Sequence, residues 1–332
     1  MKRGTSGLSL VVGVNKPVGM SSHDVVNKAR GIFGEKRVGH TGTLDPLAEG
    51  VLPICVGPAT RLDKYMVGHD KTYRATIAFG AETNTCDAEG EVVQKAPVSP
   101  ALEGEAYARA ALAGLLGKQM QVPPAYCAVK IKGKPAYERV RAGEDVQIEP
   151  REVEIYRADL VRIELGEYGA VSWVVDLSVS KGTYIRSIAR DLGWALGTCA
   201  HMSALQRLRA GRISIDECVS LESLADLGVR AALDPVRVLG FRYAFVDDQA
   251  AAVQNGNPFA ADALALYEPL PPASDEQLCA CSTTIVRDFA KPRQGELAIA
   301  LLENRMKAIY RFEAARGLWM PDCVFSVGVS RG

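Results

Sequence analysis

The chain has 332 residues, 48% of them apolar and 23% charged, which is enough apolar mass for a packed core and excludes wholesale disorder. Its 39 Lys and Arg balance 39 Asp and Glu, and a formal charge of zero argues against a protein that grips polyanions over its whole surface. No apolar run approaches the roughly 18 residues that a membrane-spanning helix needs.

Lys2 and Arg3 are basic and residues 8–14 mostly apolar, but Ser9 and Gly13 break the run, so 10–14 predicts a buried strand rather than a signal peptide. After a turn over 15–19, Ser21 with Asp24 forms a capping box that opens a helix, with Val25, Val26, Ala29, Ile32 and Phe33 on one face. A Gly-rich loop covers 39–50. Across 71–80, Tyr73, Ala75, Ile77 and Phe79 alternate with other residues, as in a half-buried strand. A helix is predicted over 104–116, ahead of Val122-Pro123-Pro124 and a Tyr- and Lys-rich stretch that ends near Arg141. Residues 172–180 alternate as a strand, Lys181-Gly182 turns the chain, and Ile185, Ile188, Ala189, Leu192 and Leu196 mark an amphipathic helix. Strands and helices mix without a regular βαβ rhythm, so the fold class is α+β. From about residue 238, short strands and turn signals take over, at Asn255-Gly256-Asn257-Pro258, 297–302 and 307–313. They predict a small β-rich domain over 238–332 behind a first domain of 1–237.

The eight cysteines are scattered, which implies no disulfide framework and a reducing, cytoplasmic compartment. Cys279 and Cys281 form the one close pair. Without a second pair or a His cluster nearby they read as adventitious thiols, and no metal site is expected.

Chemistry concentrates in Arg37-Val38-Gly39-His40-Thr41-Gly42-Thr43-Leu44-Asp45-Pro46-Leu47-Ala48-Glu49-Gly50. The glycines permit tight turns, and the proline after Asp45 biases that residue away from helical angles, holding its carboxylate at a fixed exit angle. On spacing alone, Asp45 is either such a held carboxylate or the cap of a helix that begins at Pro46. A phosphate loop fits poorly, because no Lys-Ser/Thr follows the glycines.

The whole string resembles the signature of the TruB-type tRNA pseudouridine synthases. So do, in the same order, Asn15-Lys16-Pro17-x-Gly19-Met20-Ser21-Ser22, Asp70-Lys71-x-Tyr73, Pro123-Pro124-x-Tyr126-x-Ala128-x-Lys130-x-x-Gly133 and Ser180-Lys181-Gly182-Thr183-Tyr184-Ile185-Arg186. Asn255-Gly256-Asn257-Pro258 resembles the start of the PUA-like domain that ends the bacterial members. The resemblance implies a catalytic domain with a mixed, largely antiparallel sheet flanked by helices, then a small PUA-like RNA-binding domain. It makes Asp45 the nucleophile, Arg186 its ion-pair partner, Tyr73 the aromatic that stacks on the target uracil and the candidate for the final proton transfer, and His40 the prop for a flipped-out nucleotide. Lys16 would match the lysine beside the cleft that the family uses structurally and for RNA. The family uses a stretch corresponding to 118–151 as a thumb on the RNA, which makes Tyr126 and Lys130 substrate contacts. Arg207 is a further expected contact, although Gln206 beside it stands where relatives often have arginine.

Each role has physical sense. A guanidinium is always charged and its fork matches a carboxylate, an opposite charge keeps an aspartate ionised, and stacking a base on an aromatic contributes about 1–3 kcal/mol. Without the resemblance, Arg186 reads as a surface cation on the first turn of a helix, Tyr73 as a sheet-face tyrosine and His40 as a loop histidine. The implied substrate is uridine 55 in the T-loop of tRNA, with no cofactor, no metal and no obligatory protein partner. An RNA-guided synthase of the H/ACA kind, or a tRNA-folding chaperone, remain alternatives.

The neutral total conceals opposites. Residues 1–80 hold eleven basic and six acidic side chains, and 118–141 and 181–212 each hold six and one, so each block carries +5. In 118–141, Lys130, Lys132, Lys134, Arg139 and Arg141 interleave with Tyr126 and Tyr137, a pattern suited to phosphates and exposed bases, or else a solvated hairpin.

Overall fold

A computed structural model describes residues 6–131, 133–272 and 285–332. In chain order its longer elements are β1 (Leu10–Lys16), α1 (Ser22–Phe33), β2 (Val38–His40), β3 (Glu49–Val56), β4 (Lys71–Phe79), α2 (Glu105–Ala113) and β5 (Gly117–Gln121). They continue with β6 (Arg151–Leu165), β7 (Val171–Val179), α3 (Ile185–Ala195), β8 (Ala200–Ala210), β9 (Arg242–Phe245), β10 (Leu297–Leu302), β11 (Arg305–Glu313) and β12 (Leu318–Val329). The chain divides into two compact units, one of Met1–Pro46, Gly50–Gly68 and Arg209–Gly332, the other of Leu47–Glu49 and His69–Leu208.

In the first unit, β1 pairs antiparallel with β3 from Leu10↔Val56 to Lys16↔Gly50, and β2 adds to β3. The loop expected over 39–50 is therefore trimmed at both ends, since the strands reach His40 and resume at Glu49. Helix α1 starts as its capping box dictates: the Ser21 hydroxyl accepts from the Asp24 amide, and the Asp24 carboxylate accepts from the Ser21 amide. It stops at Gly34, where φ is 58°, and buries Val25, Val26, Ala29 and Phe33.

The same unit holds a five-stranded sheet in the order β9, β10, β11, β12 and a short strand Phe259–Ala260. Only β9 with β10 runs parallel. Ile299, Leu301, Phe325 and Val329 of this sheet share one hydrophobic cluster with Val11, Val51, Cys55 and Leu62. The change of texture near residue 238 thus marks a new sheet, one face of which joins this cluster while the other packs a second cluster around Tyr310, Phe312 and Trp319. Polar ties reinforce the junction: Asp322 on β12 accepts from Lys64 Nζ at 2.7 Å, from Arg311 at 3.0 Å and from the Tyr65 hydroxyl, while Arg331 pairs with Asp234 at 2.7 Å.

In the second unit the strand order is β8, β4, β7, β6, β5. Strands β4, β7, β6 and β5 are antiparallel neighbours. In β4, Tyr73, Ala75, Ile77 and Phe79 are buried, as their alternation predicts. Trp173 on β7 is fully buried, donates its indole N–H to the Leu102 carbonyl at 2.8 Å and meets the Phe79 ring edge-on. Because Gly117–Gln121 pairs with residues 151–155, the excursion expected over 118–151 leaves the sheet only after residue 121. It contains a two-residue hairpin, Lys130–Ile131 against Lys134–Pro135, and a helix Ala136–Arg141.

The six described cysteines are free, and Cys279 and Cys281 lie outside the described residues. Among the described residues no helix is long and apolar enough to cross a membrane, and no cluster of His, Cys, Asp and Glu could hold a metal ion.

Burial works against the charge on Asp322, but hydrogen bonds from Lys64, Tyr65 and Arg311 outweigh it and hold its carboxyl at about 2. A depressed carboxylate stabilises the fold above its unfolded value, and the contribution fades as pH falls toward 2. Asp322→Asn is expected to destabilise the protein by about 1–3 kcal/mol at pH 7. Urea unfolding at pH 7 and at lower pH checks this, and the gap from wild type should shrink with acidification.

Candidate active site

The loop between β2 and β3 carries Asp45. Gly42 at φ 100° and Gly50 at φ 104° bracket it in conformations that side chains disfavour. Between them, Leu44 and Ala48 point inward while Asp45 is half-buried. Pro46 and Leu47 form a turn and the chain passes directly into β3, so no helix begins at Pro46 for Asp45 to cap. That leaves the held-carboxylate reading of the Asp-Pro pair.

The residues on either side of Asp45 are tied to the connection between β1 and α1. Ahead of it, the Ser22 hydroxyl accepts from the Leu44 amide at 2.8 Å and donates to the Leu44 carbonyl at 3.0 Å. Behind it, the Pro46 carbonyl accepts from the Gly19 amide at 2.8 Å and faces Lys16 Nζ at 3.4 Å. Lys16 is fully buried, and its ammonium also donates to the carbonyls of Pro17 at 2.9 Å and Met20 at 2.6 Å. The lysine expected beside an RNA cleft is therefore a staple of the loop that carries Asp45, without a solvent-facing surface. His40 is half-buried at the end of β2, opposite Ile54.

Those residues belong to the first unit. The second holds Tyr73, Tyr126, Lys130, Arg186 and Arg207. Arg186, on the first turn of α3, is 6% exposed, which rules out the surface-cation reading. Its guanidinium donates to the Thr85 carbonyl and the Tyr126 carbonyl, each at 3.1 Å, and approaches the Asp87 carboxylate at 3.4 Å. Cys86, at φ 59°, kinks the chain so that the groups on both sides of it face the arginine. Asp87 in turn accepts from the Thr85 hydroxyl at 2.6 Å and the Glu89 amide at 3.1 Å. Asp87 had no signal in the sequence, because its partner lies about a hundred residues further on.

The motif around Arg186 also anchors the root of the 122–150 excursion. Gln121 makes paired hydrogen bonds to the Tyr184 backbone at 2.8 and 3.1 Å, and the Val122 carbonyl accepts from Ser187 and Arg190 at 2.8 and 3.1 Å. Tyr126 is half-buried with its carbonyl on Arg186, whereas Lys130 on the hairpin is exposed. Tyr73 faces inward on β4 at 8% exposure, opposite Leu177 of β7. Arg207, expected as an RNA contact, is 1% exposed on β8. Burial, then the charges of Arg207 and Lys181, lower Lys71 to about 8 against the opposing pull of Asp70. Positive charge thus gathers around the start of β4.

Residues 30–185 match the profile of the TruB family pseudouridylate synthase (N terminal domain), and 186–237 match that of the tRNA pseudouridylate synthase B C-terminal domain. The tRNA pseudouridine synthase B of Arthrobacter sp. (strain FB24) is 45% identical over 258 residues, 77% of this chain and 84% of that protein. The protein of the same name from Francisella philomiragia is 42% identical over 233 residues, 70% of this chain and 75% of that one. Among solved structures, a chain of an H/ACA RNP bound to a substrate RNA containing 2'-deoxyuridine is similar with a TM-score of 0.64 at 22% identity, covering 98% of this chain and 86% of that one. A chain of a Cbf5-Nop10-Gar1 complex has the same TM-score at 21% identity, again with 98% and 86% covered. These two likenesses establish the fold, the terminal sheet included. With the ordered motifs and this degree of identity to curated relatives, the chain belongs to the TruB family of pseudouridylate synthases.

Proposed function

We propose that the protein isomerises uridine to pseudouridine in tRNA, at position 55 of the T-loop, with Asp45 as the nucleophile. The observation that carries this reading is the Gly39-His40-Thr41-Gly42-Thr43-Leu44-Asp45-Pro46 loop, which holds a half-buried carboxylate between two pinned neighbours in a chain 45% identical to a tRNA pseudouridine synthase B.

In the reaction, the bond from the ribose C1′ to uracil N1 breaks, the ring turns, and C5 bonds to C1′. The hydrogen leaves C5 and one is gained at N1, so atoms and electrons balance with no net oxidation. Asp45 attacks the uracil ring or the ribose C1′, or assists a glycal intermediate. Arg186 pairs with Asp45 and keeps it ionised, Tyr73 stacks on the uracil and serves the final proton transfer, and His40 props the flipped-out nucleotide. Extracting the base from a folded loop costs a few kcal/mol. The cations around Lys71 and in the 122–150 excursion suit the phosphates that repay it, and the terminal sheet, read as PUA-like, extends the RNA surface. A tRNA substrate places the enzyme in the cytoplasm. The fold likeness to chains of H/ACA assemblies favours an RNA-guided synthase as the second reading.

Incubating the purified protein alone with unmodified tRNA and mapping pseudouridine tests the main reading. Product at position 55 is expected, and activity only with added guide RNA and proteins would favour the second. Asp45→Asn should slow product formation by at least about 10³-fold, with tRNA affinity changed less than about threefold. Collapse of binding as well would return Asp45 to the role of a turn residue, and a purely RNA-folding role would show as tRNA refolding undiminished in that variant.

Arg186→Lys is expected to lower the rate about 10- to 100-fold, because one ammonium cannot span the Asp87, Thr85 and Tyr126 oxygens that the fork reaches. Single-turnover rates with excess enzyme check it.

A further inference from the structure

Ser21 and Ser22 are adjacent at the start of α1, yet their hydroxyls do different work. Ser21 caps the helix, accepting from the Asp24 amide. Ser22 is 3% exposed and turns away from its own helix to Leu44, where one hydroxyl serves both the amide, at 2.8 Å, and the carbonyl, at 3.0 Å. Leu44 is itself only 3% exposed, so water has little access to replace that hydroxyl. We infer that Ser22 is a positioning residue for the Asp45 carboxylate, fixing the backbone one residue ahead of it from a rigid helix.

Leu44 and Asp45 share a peptide plane, so anchoring both polar groups of Leu44 sets the direction in which the chain enters Asp45. The exit is set independently by the Gly19 amide on the Pro46 carbonyl. And Ser22 rides on the first residue of a twelve-residue helix, a more exact mount than a loop. Removing the hydroxyl leaves the Leu44 amide and carbonyl without that partner in a dry place. The loop then shifts to hydrate them and carries Asp45 along, and a displacement near 1 Å at a reacting group slows chemistry by about 100-fold. Binding of the RNA, which Ser22 does not touch from its buried position, is left as it was.

The inference rests on the reading of Asp45 as the nucleophile, and the experiment separates the two. Single-turnover pseudouridine formation, tRNA affinity by filter retention and thermal melting are measured for Ser22→Ala, Ser22→Thr, Ser21→Ala and Asp45→Asn. Ser22→Ala should slow turnover by about 10- to 100-fold with affinity within about threefold of wild type, and Ser22→Thr, which keeps the hydroxyl, should recover most of the rate. Ser21→Ala, which loses only the helix cap, should melt earlier without slowing the reaction. A Ser22→Ala rate within about twofold of wild type would overturn the inference, as would joint loss of rate, affinity and melting temperature, or a Ser22→Thr variant as slow as Ser22→Ala. An active Asp45→Asn enzyme would instead remove the reading on which the inference stands, whatever Ser22 does.

Discussion

A cation that leaves water must be met by oxygen, and in each unit a candidate site residue is held by that requirement. Lys16 is wholly buried and Arg186 nearly so. Each would be strongly destabilising if unmet. Both are met largely by main-chain carbonyls: Pro17, Met20 and Pro46 for the lysine, Thr85 and Tyr126 for the arginine. Carbonyls belong to the path of the chain, so satisfying the charge also fixes the path. The lysine closes the connection from β1 to α1 against the Asp45 loop. The arginine joins the kink at Cys86 to the root of the excursion. Irregular segments that would otherwise wander acquire definite courses this way, and irregular segments are where this chain keeps its chemistry.

The terminal sheet illustrates a different economy. Its own strands bury Trp319, Tyr310 and Phe312 on one face, and the other face completes a cluster begun by β1, β3 and the turn around Leu62. Asp322 stitches that face with charge and a phenol hydroxyl. A region with its own topology thus draws stability from residues more than two hundred positions earlier.

Local rules reached far into this fold. The capping box at Ser21 and Asp24, the apolar stripe of α1 and the alternation of β4 are decided by neighbours within a few residues, and each lies where its pattern places it. Strand β6 escaped notice because register shifts at Ile155/Arg157 and Leu160/Arg162 break the period of two, and its charged side chains leave little apolar alternation to follow. At the site, the identity of the motif string singled out Asp45 and Arg186, whereas Asp87 and Ser22 draw their meaning from partners that only the folded chain brings near. Arg207 and Lys16 show the converse. The family resemblance marked them as RNA contacts, and the structure buries both, because neither composition nor spacing reports which way a cation points.

The interleaving of the units sets an order of events during synthesis. Nearly all of the second unit lies within residues 69–208, so its strands have one another as soon as that stretch leaves the ribosome. The first unit is held open. Its cluster waits for Ile299, Phe325 and Val329, and the Ser9 carbonyl waits for the amide of Ser330. The middle of the chain can therefore be finished while the cluster that β1 and β3 share with the terminal sheet is still incomplete.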